Sequence, residues 1–138
     1  VTGVQTCALP IYLDAGMTEQ GLKELGTADL DFAILENVGN LVCPAEFDTG
    51  AVKNVAILSV PEGHDKPLKY PLMFEVCQAL IINKIDVMPY FDFDMDKVRE
   101  FALKRNPNIE IFPISAKTGE GVDAWCSWLE AQVRAWNA

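Results

Sequence analysis

The amino-acid sequence predicts an α/β fold in which helices cover a parallel sheet on both faces. Apolar segments of strand length alternate along the chain with segments of helical periodicity. The strand segments are apolar at almost every position, which is typical of parallel strands buried on both faces. Half of the 138 residues are hydrophobic, so the chain can form a packed core. In such sheets, ligands bind at the carboxyl ends of the strands, so candidate functional residues are sought there.

Four strands and four helices follow from the pattern. The predicted strands are Leu30–Leu35, Val55–Val60, Ala79–Ile82 and Ile109–Ile114. The predicted helices are Asp14–Leu25, Pro71–Cys77, Asp94–Lys104 and Val122–Trp136. Gly26 is expected to end the first helix in a left-handed conformation, and Asn106-Pro107 to end the third. Right-handed crossovers between parallel strands then give a doubly wound sheet.

The first eleven residues, Val1–Ile11, carry no charge and no helical or strand periodicity. They resemble the translation of a sequencing-library adapter, and they lack the basic and apolar regions of a signal peptide. An edge strand suits them poorly, because Gly3 and Pro10 lie within the segment. We therefore expect residues 1–11 to be a non-native leader and residues 12–138 to be the C-terminal part of a longer chain.

Composition excludes several classes of function. The 20 acidic and 11 basic residues give a net charge of −9, which argues against a nucleic-acid-binding surface. No apolar run approaches the ~18 residues of a membrane span. Four dispersed cysteines do not suit a secreted disulfide framework. His64 is the only histidine of the sequence, which excludes a site built on several histidines of one chain.

The third predicted strand is followed by Asn83-Lys84-Ile85-Asp86, an N-K-x-D motif. Guanine presents two adjacent donors, the ring N1–H and the exocyclic amine, and the Asp86 carboxylate can accept both. Adenine would leave that carboxylate unpaired. Asn83 would hold the loop, and the aliphatic stem of Lys84 would cover one face of the base. The alternative is a turn in which Asp86 only caps a helix.

The fourth predicted strand is followed by Ser115-Ala116-Lys117-Thr118-Gly119. In guanine-nucleotide proteins the backbone N–H of the middle residue of such an S-A-K loop meets guanine O6, and the lysine stem packs on the second face of the base. By itself this is a common Ser/Gly loop. Its position about thirty residues after N-K-x-D, again at a strand end, favours one shared guanine nucleotide.

The first predicted strand is followed directly by Glu36, and Gly39 follows three residues later. In nucleotide hydrolases this arrangement brings an acid to the Mg²⁺ water shell and a glycine N–H to the terminal phosphate. These two residues are therefore the catalytic candidates; the alternative is a polar turn with a capping glycine. No G-x-x-x-x-G-K-[ST] phosphate loop occurs in residues 12–138.

Together these segments resemble the HypB family, the hydrogenase nickel-incorporation GTPases. The resemblance is carried by ENVGNLVCPA at residues 36–45, EGHDKPLKYP at residues 62–71, N-K-I-D at residues 83–86 and SAKTGEG at residues 115–121. It extends over residues 12–138. It implies a P-loop NTPase-like three-layer fold, here without its phosphate loop. It also implies a cytoplasmic hydrolase of GTP, with Mg²⁺, that forms a homodimer with nucleotide.

The resemblance also implies a metal site and partners. Family members bind Ni²⁺ or Zn²⁺ at the dimer interface and deliver nickel to the [NiFe]-hydrogenase large subunit, with a companion nickel-handling protein. Their ligands are the cysteine of N-L-V-C-P, here Cys43, and a Cys-His pair just before L-D-A, where this chain has Ile11 and Tyr12. A thiolate suits either metal. With only Cys43 from each chain the site would be weak, and a cysteine without metal is the alternative.

Two other functions stay open. The chain could be a non-catalytic guanine-nucleotide or metal-binding fragment, or a related GTPase of urease maturation; Cys43 favours the hydrogenase branch. Cys77 and Cys126 are expected in the core, and His64, where the family usually has an acid, is expected to be solvated. The three charged residues Asp65, Lys66 and Lys69 suit a nucleotide-responsive loop at the dimer contact or an ordinary surface turn.

Overall fold

The computed structural model describes residues 13–26, 30–37, 39, 41 and 45–138. The chain divides into two compact units, residues 1–51 and residues 52–138. Among the described residues, no helix combines the length and the apolar character that crossing a bilayer requires.

The described part of the first unit contains one helix, α1, at Ala15–Leu25. Asp14 begins it as N-cap, since its Oδ1 accepts the Met17 backbone N–H at 2.9 Å. Gly26 ends it with φ 71°, and its N–H donates to the carbonyl of Leu22. The predicted helix and its two ends are therefore confirmed.

The predicted strand at Leu30–Leu35 is wrong. Residues 30–37 have no regular secondary structure, and large side chains of the segment are exposed, Ile34 by 86%. A strand needs neighbours to pair its backbone groups and to cover its faces. The described residues provide this segment with no strand partner, so its apolar character alone does not make it a strand.

The second unit is built on a parallel three-stranded sheet. Its strands are β1 at Val55–Ser59, β2 at Ala79–Asn83 and β3 at Glu110–Pro113, in the order β1-β2-β3. β2 is the central strand, and its first four residues are buried. These three predicted strands are confirmed to within one residue at each end, as is the parallel α/β architecture.

Four helices and two 3₁₀ helices connect and cover the strands. They are a 3₁₀ helix at Val60–Glu62, α2 at Lys66–Lys69, α3 at Pro71–Val76, a 3₁₀ helix at Ile85–Tyr90, α4 at Met95–Arg105 and α5 at Val122–Trp136. The core between the helices and the sheet contains Leu58, Phe74, Leu80, Ile82 and Val98, which are all fully buried.

Aromatic packing holds α5 beside β3. The ring of Phe112 lies 5.4 Å from that of Trp125 and 5.8 Å from that of Trp128. The indole Nε1 of Trp128 donates to Glu110 Oε1 at 2.6 Å, so the polar end of a buried tryptophan is paired. β3 precedes the loop at residues 114–121 and α5 follows it. This contact therefore fixes where that loop begins and ends.

Candidate nucleotide-base site

The two predicted base-reading loops meet at the carboxyl edge of the sheet. Asn83 is the last residue of β2, and Ile82 pairs with Pro113 at the end of β3. The chain therefore leaves both strands at the same edge, as a parallel register requires. The backbone N–H of Ile85 donates to the Ile114 carbonyl at 3.2 Å, which ties the start of one loop to the start of the other.

Asn83 joins the two loops through its side chain. Its Oδ1 accepts the N–H of Lys84 at 2.7 Å and the N–H of Ala116 at 3.2 Å. Lys84 has φ 65°, a left-handed conformation that few non-glycine residues adopt. The chain thus turns sharply at the end of β2, and the Asn83 amide stabilises the turn.

A hydrogen bond from Ser115 holds the side chain of Asp86. Ser115 is fully buried, and its Oγ donates to Asp86 Oδ1 at 2.6 Å while accepting the Thr118 N–H at 3.2 Å. This fixes the rotamer of the carboxylate and uses one of its two oxygens. The other oxygen, and the remaining acceptor capacity of the first, stay available to a ligand.

The S-A-K loop is closed by its own backbone. The N–H of Ser115 donates to the Glu120 carbonyl at 2.9 Å, and the N–H of Gly119 donates to the Ser115 carbonyl at 2.8 Å. Gly121, with φ 75°, passes so close to β3 that a Cβ there would lie 2.2 Å from the Pro113 carbonyl oxygen. Only glycine fits that position without displacing backbone.

A cleft of about 310 Å³ opens between the two loops. It is lined by Asn83, Lys84, Asp86, Val87, Ala116 and Lys117. Lys84 and Lys117 are exposed and Asp86 is half-buried. This lining matches a planar ligand that has two adjacent N–H donors and lies between the two lysine stems. Sequence reasoning missed Val87, although its place directly after N-K-I-D was a usable signal.

The two other described candidates, Glu36 and Gly39, are not among the residues that line this cleft. Glu36 and Gly39 belong to the unit of residues 1–51, where both are exposed in irregular backbone. Cys43 lies outside the described residues. Within the described part of the chain, no group of three His, Cys, Asp or Glu side chains could hold a metal ion.

The charged residues after β1 lie at helix α2, where two of them form an ion pair. Asp65 Oδ2 lies 2.6 Å from Lys69 Nζ, which lowers the pKa of the Asp65 carboxyl and raises the pKa of the Lys69 amine. Lys66 Nζ lies 5.5 Å above the ring of Tyr70, a cation–π contact. His64 is half-buried rather than solvated, and it bonds to a residue thirty positions away, so the expectation for it was wrong.

The two described cysteines differ. Cys77 is buried as predicted, and burial raises the pKa of its thiol to about 12. Cys126 is exposed on α5, so its predicted place in the core was wrong. Trp125 and Trp128 pack against Phe112 of β3, and position 126 lies on another side of the helix.

Comparison with known proteins identifies relatives that match most of the chain. No family model matches the chain. It is 50% identical to hydrogenase maturation factor HypB of Escherichia coli strain K12 over 121 residues, 88% of this chain and 42% of that protein. The chain thus spans less than half the length of this relative.

Two solved structures share the fold. The crystal structure of hydrogenase maturation factor HypB from Archaeoglobus fulgidus matches with a TM-score of 0.85 and 34% identity, over 93% of this chain and 62% of that one. The crystal structure of HypB from Helicobacter pylori in complex with nickel matches with a TM-score of 0.84 and 41% identity, over 91% and 60%. The three parallel strands and their helices thus form part of a P-loop NTPase-like fold. From this likeness in sequence and structure, the chain belongs to the HypB family of hydrogenase maturation factors, of which it spans a part.

Proposed function

We propose that this chain is the guanine-binding part of a GTPase that serves hydrogenase maturation. The observation that carries the proposal is the Asp86 carboxylate, fixed by buried Ser115 at 2.6 Å beside a cleft lined by both loops. Its open acceptor capacity matches the adjacent N1–H and amine of guanine. Adenine offers no such pair, and it would leave a half-buried carboxylate without its partners.

The neighbouring residues support the same ligand. The stems of Lys84 and Lys117 would cover the two faces of the base, since both line the cleft. The Ala116 N–H, expected to meet guanine O6, donates to Asn83 Oδ1 at 3.2 Å. Bound guanine would therefore share or take over this long hydrogen bond.

The proposal assigns base recognition to residues 83–86 and 115–117, and it assigns no hydrolytic step to this chain alone. The sequence has no phosphate-loop motif in residues 12–138, and Glu36 is one exposed carboxylate without a described cluster that would hold Mg²⁺. GTP hydrolysis with Mg²⁺, with Glu36 and Gly39 as its catalytic residues, is proposed for the whole-length protein. A non-catalytic nucleotide-binding role of this chain alone is the alternative.

Exchange of Asp86 for asparagine tests the base assignment. Xanthine carries a carbonyl oxygen where guanine carries the amine, so the amide of Asp86→Asn can donate to xanthine but cannot accept both guanine protons. We expect GDP affinity to fall about 10- to 100-fold, the value of a charged hydrogen bond, and XDP affinity to rise. Amide shifts of Lys84–Val87 and Ala116–Gly119 measure binding of GDP, XDP and ADP.

Asp96→Asn is the matched control, because Asp96 is an exposed acid on the first turn of α4. It should leave all three affinities unchanged. Equal binding of ADP and GDP by the unaltered chain, or an unchanged GDP preference in Asp86→Asn, would show that Asp86 does not read the base.

We also propose nickel as the cargo of this protein. The Helicobacter pylori relative, 41% identical, was crystallised with nickel, and Cys43 offers a thiolate, a soft ligand for Ni²⁺ or Zn²⁺. A homodimer would bring two copies of Cys43 together. The same proposal includes two partners, a companion nickel-handling protein and the hydrogenase large subunit that receives the nickel, and a cytoplasmic location. The alternative is a role in urease maturation.

Cys43→Ala separates the cargo site from the base site. We expect weaker Ni²⁺ binding in a calorimetric titration and unchanged GDP affinity, with Cys126→Ser as control for an exposed thiol elsewhere. Loss of nucleotide binding together with nickel binding in Cys43→Ala would contradict this division.

A further inference from the structure

The imidazole of His64 connects two segments that are far apart in sequence. His64 lies between β1 and α2, and its Nδ1 accepts the backbone N–H of Asp94 at 3.3 Å. Its ring also meets the ring of Phe93 edge-on, with centroids 6.2 Å apart. The contact therefore ties the segment after β1 to the segment that begins α4.

The bonded residue, Asp94, is the N-cap of α4. Its Oδ1 accepts the N–H groups of Asp96 and Lys97, both at 3.0 Å. The side chain of Asp94 thus accepts hydrogen bonds from the first turn of α4, while its backbone N–H donates to His64. The acceptor at position 64 consequently helps to hold Asp94, the residue that caps α4.

A histidine can accept this hydrogen bond only when it is neutral. With Nδ1 as acceptor, the single proton of the neutral ring is on Nε2. A protonated ring carries N–H groups at both positions, so that N–H would face N–H and the bond would be lost. We propose that the His64–Asp94 contact is a pH-sensitive latch, closed with neutral imidazole and open once the imidazole is protonated.

The two segments that the contact joins carry several other charged residues. They are Glu62, Asp65 and Lys66 on the segment of His64 and Asp92, Asp94, Asp96 and Lys97 at the start of α4. The pKa of the Asp65 carboxyl is lowered by its bond to Lys69, and that of Asp94 by the amides it caps. Carboxylates ordinarily titrate below the range from pH 8 to pH 5, and lysines above it, whereas histidine titrates within it. Acidic neighbours also offer a protonated ring new partners away from the Asp94 amide.

Hydrogen exchange of the Asp94 amide tests the latch in the full chain. After correction for the intrinsic rate, protection of this amide should fall about two- to tenfold from pH 7.5 to pH 5.5, the range of a neutral hydrogen bond. The Lys97 amide, which is held by the Asp94 carboxylate instead, is the internal control. This measurement needs no nucleotide, so its result is independent of the proposed GTPase function.

Two variants distinguish a latch from simple packing. In His64→Asn the amide oxygen keeps an acceptor that does not titrate, so Asp94 should stay protected at both pH values. In His64→Ala the Asp94 amide should be weakly protected at both. The proposal is overturned if the unaltered chain has equal protection at the two pH values, or if His64→Asn keeps the same pH response. Should His64→Ala fail to fold, the first two chains still decide.

Discussion

Two regions of this chain carry candidate site residues, and they differ in what holds them. Asn83, Asp86 and Ser115 follow paired strands, and hydrogen bonds of 2.6 to 3.2 Å connect their loops. Glu36 and Gly39 follow an apolar segment with no strand conformation among the described residues, and both are exposed. The same kind of sequence, an apolar run and then a polar loop, therefore has two different outcomes.

The difference teaches that an apolar run indicates a capacity for burial and that neighbours decide whether burial occurs. β2 is covered because β1 and β3 pair with it on both sides and helices lie against it. The segment at residues 30–35 has no such neighbours among the described residues. A paired strand fixes where the loop after it begins. The positions of Asn83, Asp86 and Ser115 are therefore held more firmly than those of Glu36 and Gly39.

The largest difference in the free energy of unfolding is expected between two alanine substitutions, one in each region. Leu58 in β1 is 1% exposed and Ile34 is 86% exposed. Leu58→Ala should lower the free energy of unfolding by about 2–5 kcal/mol, through lost burial and the cavity that remains. Ile34→Ala should change it by less than about 0.5 kcal/mol. Urea unfolding followed by circular dichroism measures both, and equal losses would mean that residue 34 is buried in solution.

The sequence predicts most of the second unit because its signals there are local or periodic. Three apolar strands and the stop at Asn106 need no knowledge of distant partners. Short elements escaped prediction: α2 has four residues, and the 3₁₀ helix at Ile85–Tyr90 contains Pro89. Their conformation depends on the positions of the strand ends that they connect, and hydrophobic periodicity in the sequence does not give those positions.

The site was predictable as a set of residues and not as a network of bonds. Parallel topology alone brings Asn83 and Ala116 to one edge of the sheet. The bond from Ser115 to Asp86, and the one between His64 and Asp94, depend on side-chain directions of loops that are distant in sequence. Cys126 was misplaced for a related reason, since the inward face of α5 is set by the aromatic residues that pack on Phe112.

A smaller effect should separate two glycines of the S-A-K loop. A Cβ on Gly121 would meet the Pro113 carbonyl oxygen at 2.2 Å, whereas a Cβ on Gly119 would meet no atom within 4 Å. Both have positive φ, so each alanine variant carries backbone strain of about 1–2 kcal/mol. Gly121→Ala should lose about 1–3 kcal/mol more, because β3 and α5 have to move apart. Equal unfolding free energies of the two variants would show that the close approach is absent in solution.

A modest effect on stability, together with the most specific effect on the site, should come from Ser115→Ala. The substitution removes the donor to Asp86 Oδ1 and the acceptor of the Thr118 N–H, both in a part-buried setting. We expect a loss of about 1–2 kcal/mol in unfolding free energy, and a roughly tenfold weaker GDP affinity because the carboxylate is no longer fixed. Ser127→Ala, on the exposed side of α5, is the control and should change neither quantity. Since Ser115 does not line the cleft, an unchanged GDP affinity would mean that Asp86 keeps its position without support and that the network between the loops serves folding alone.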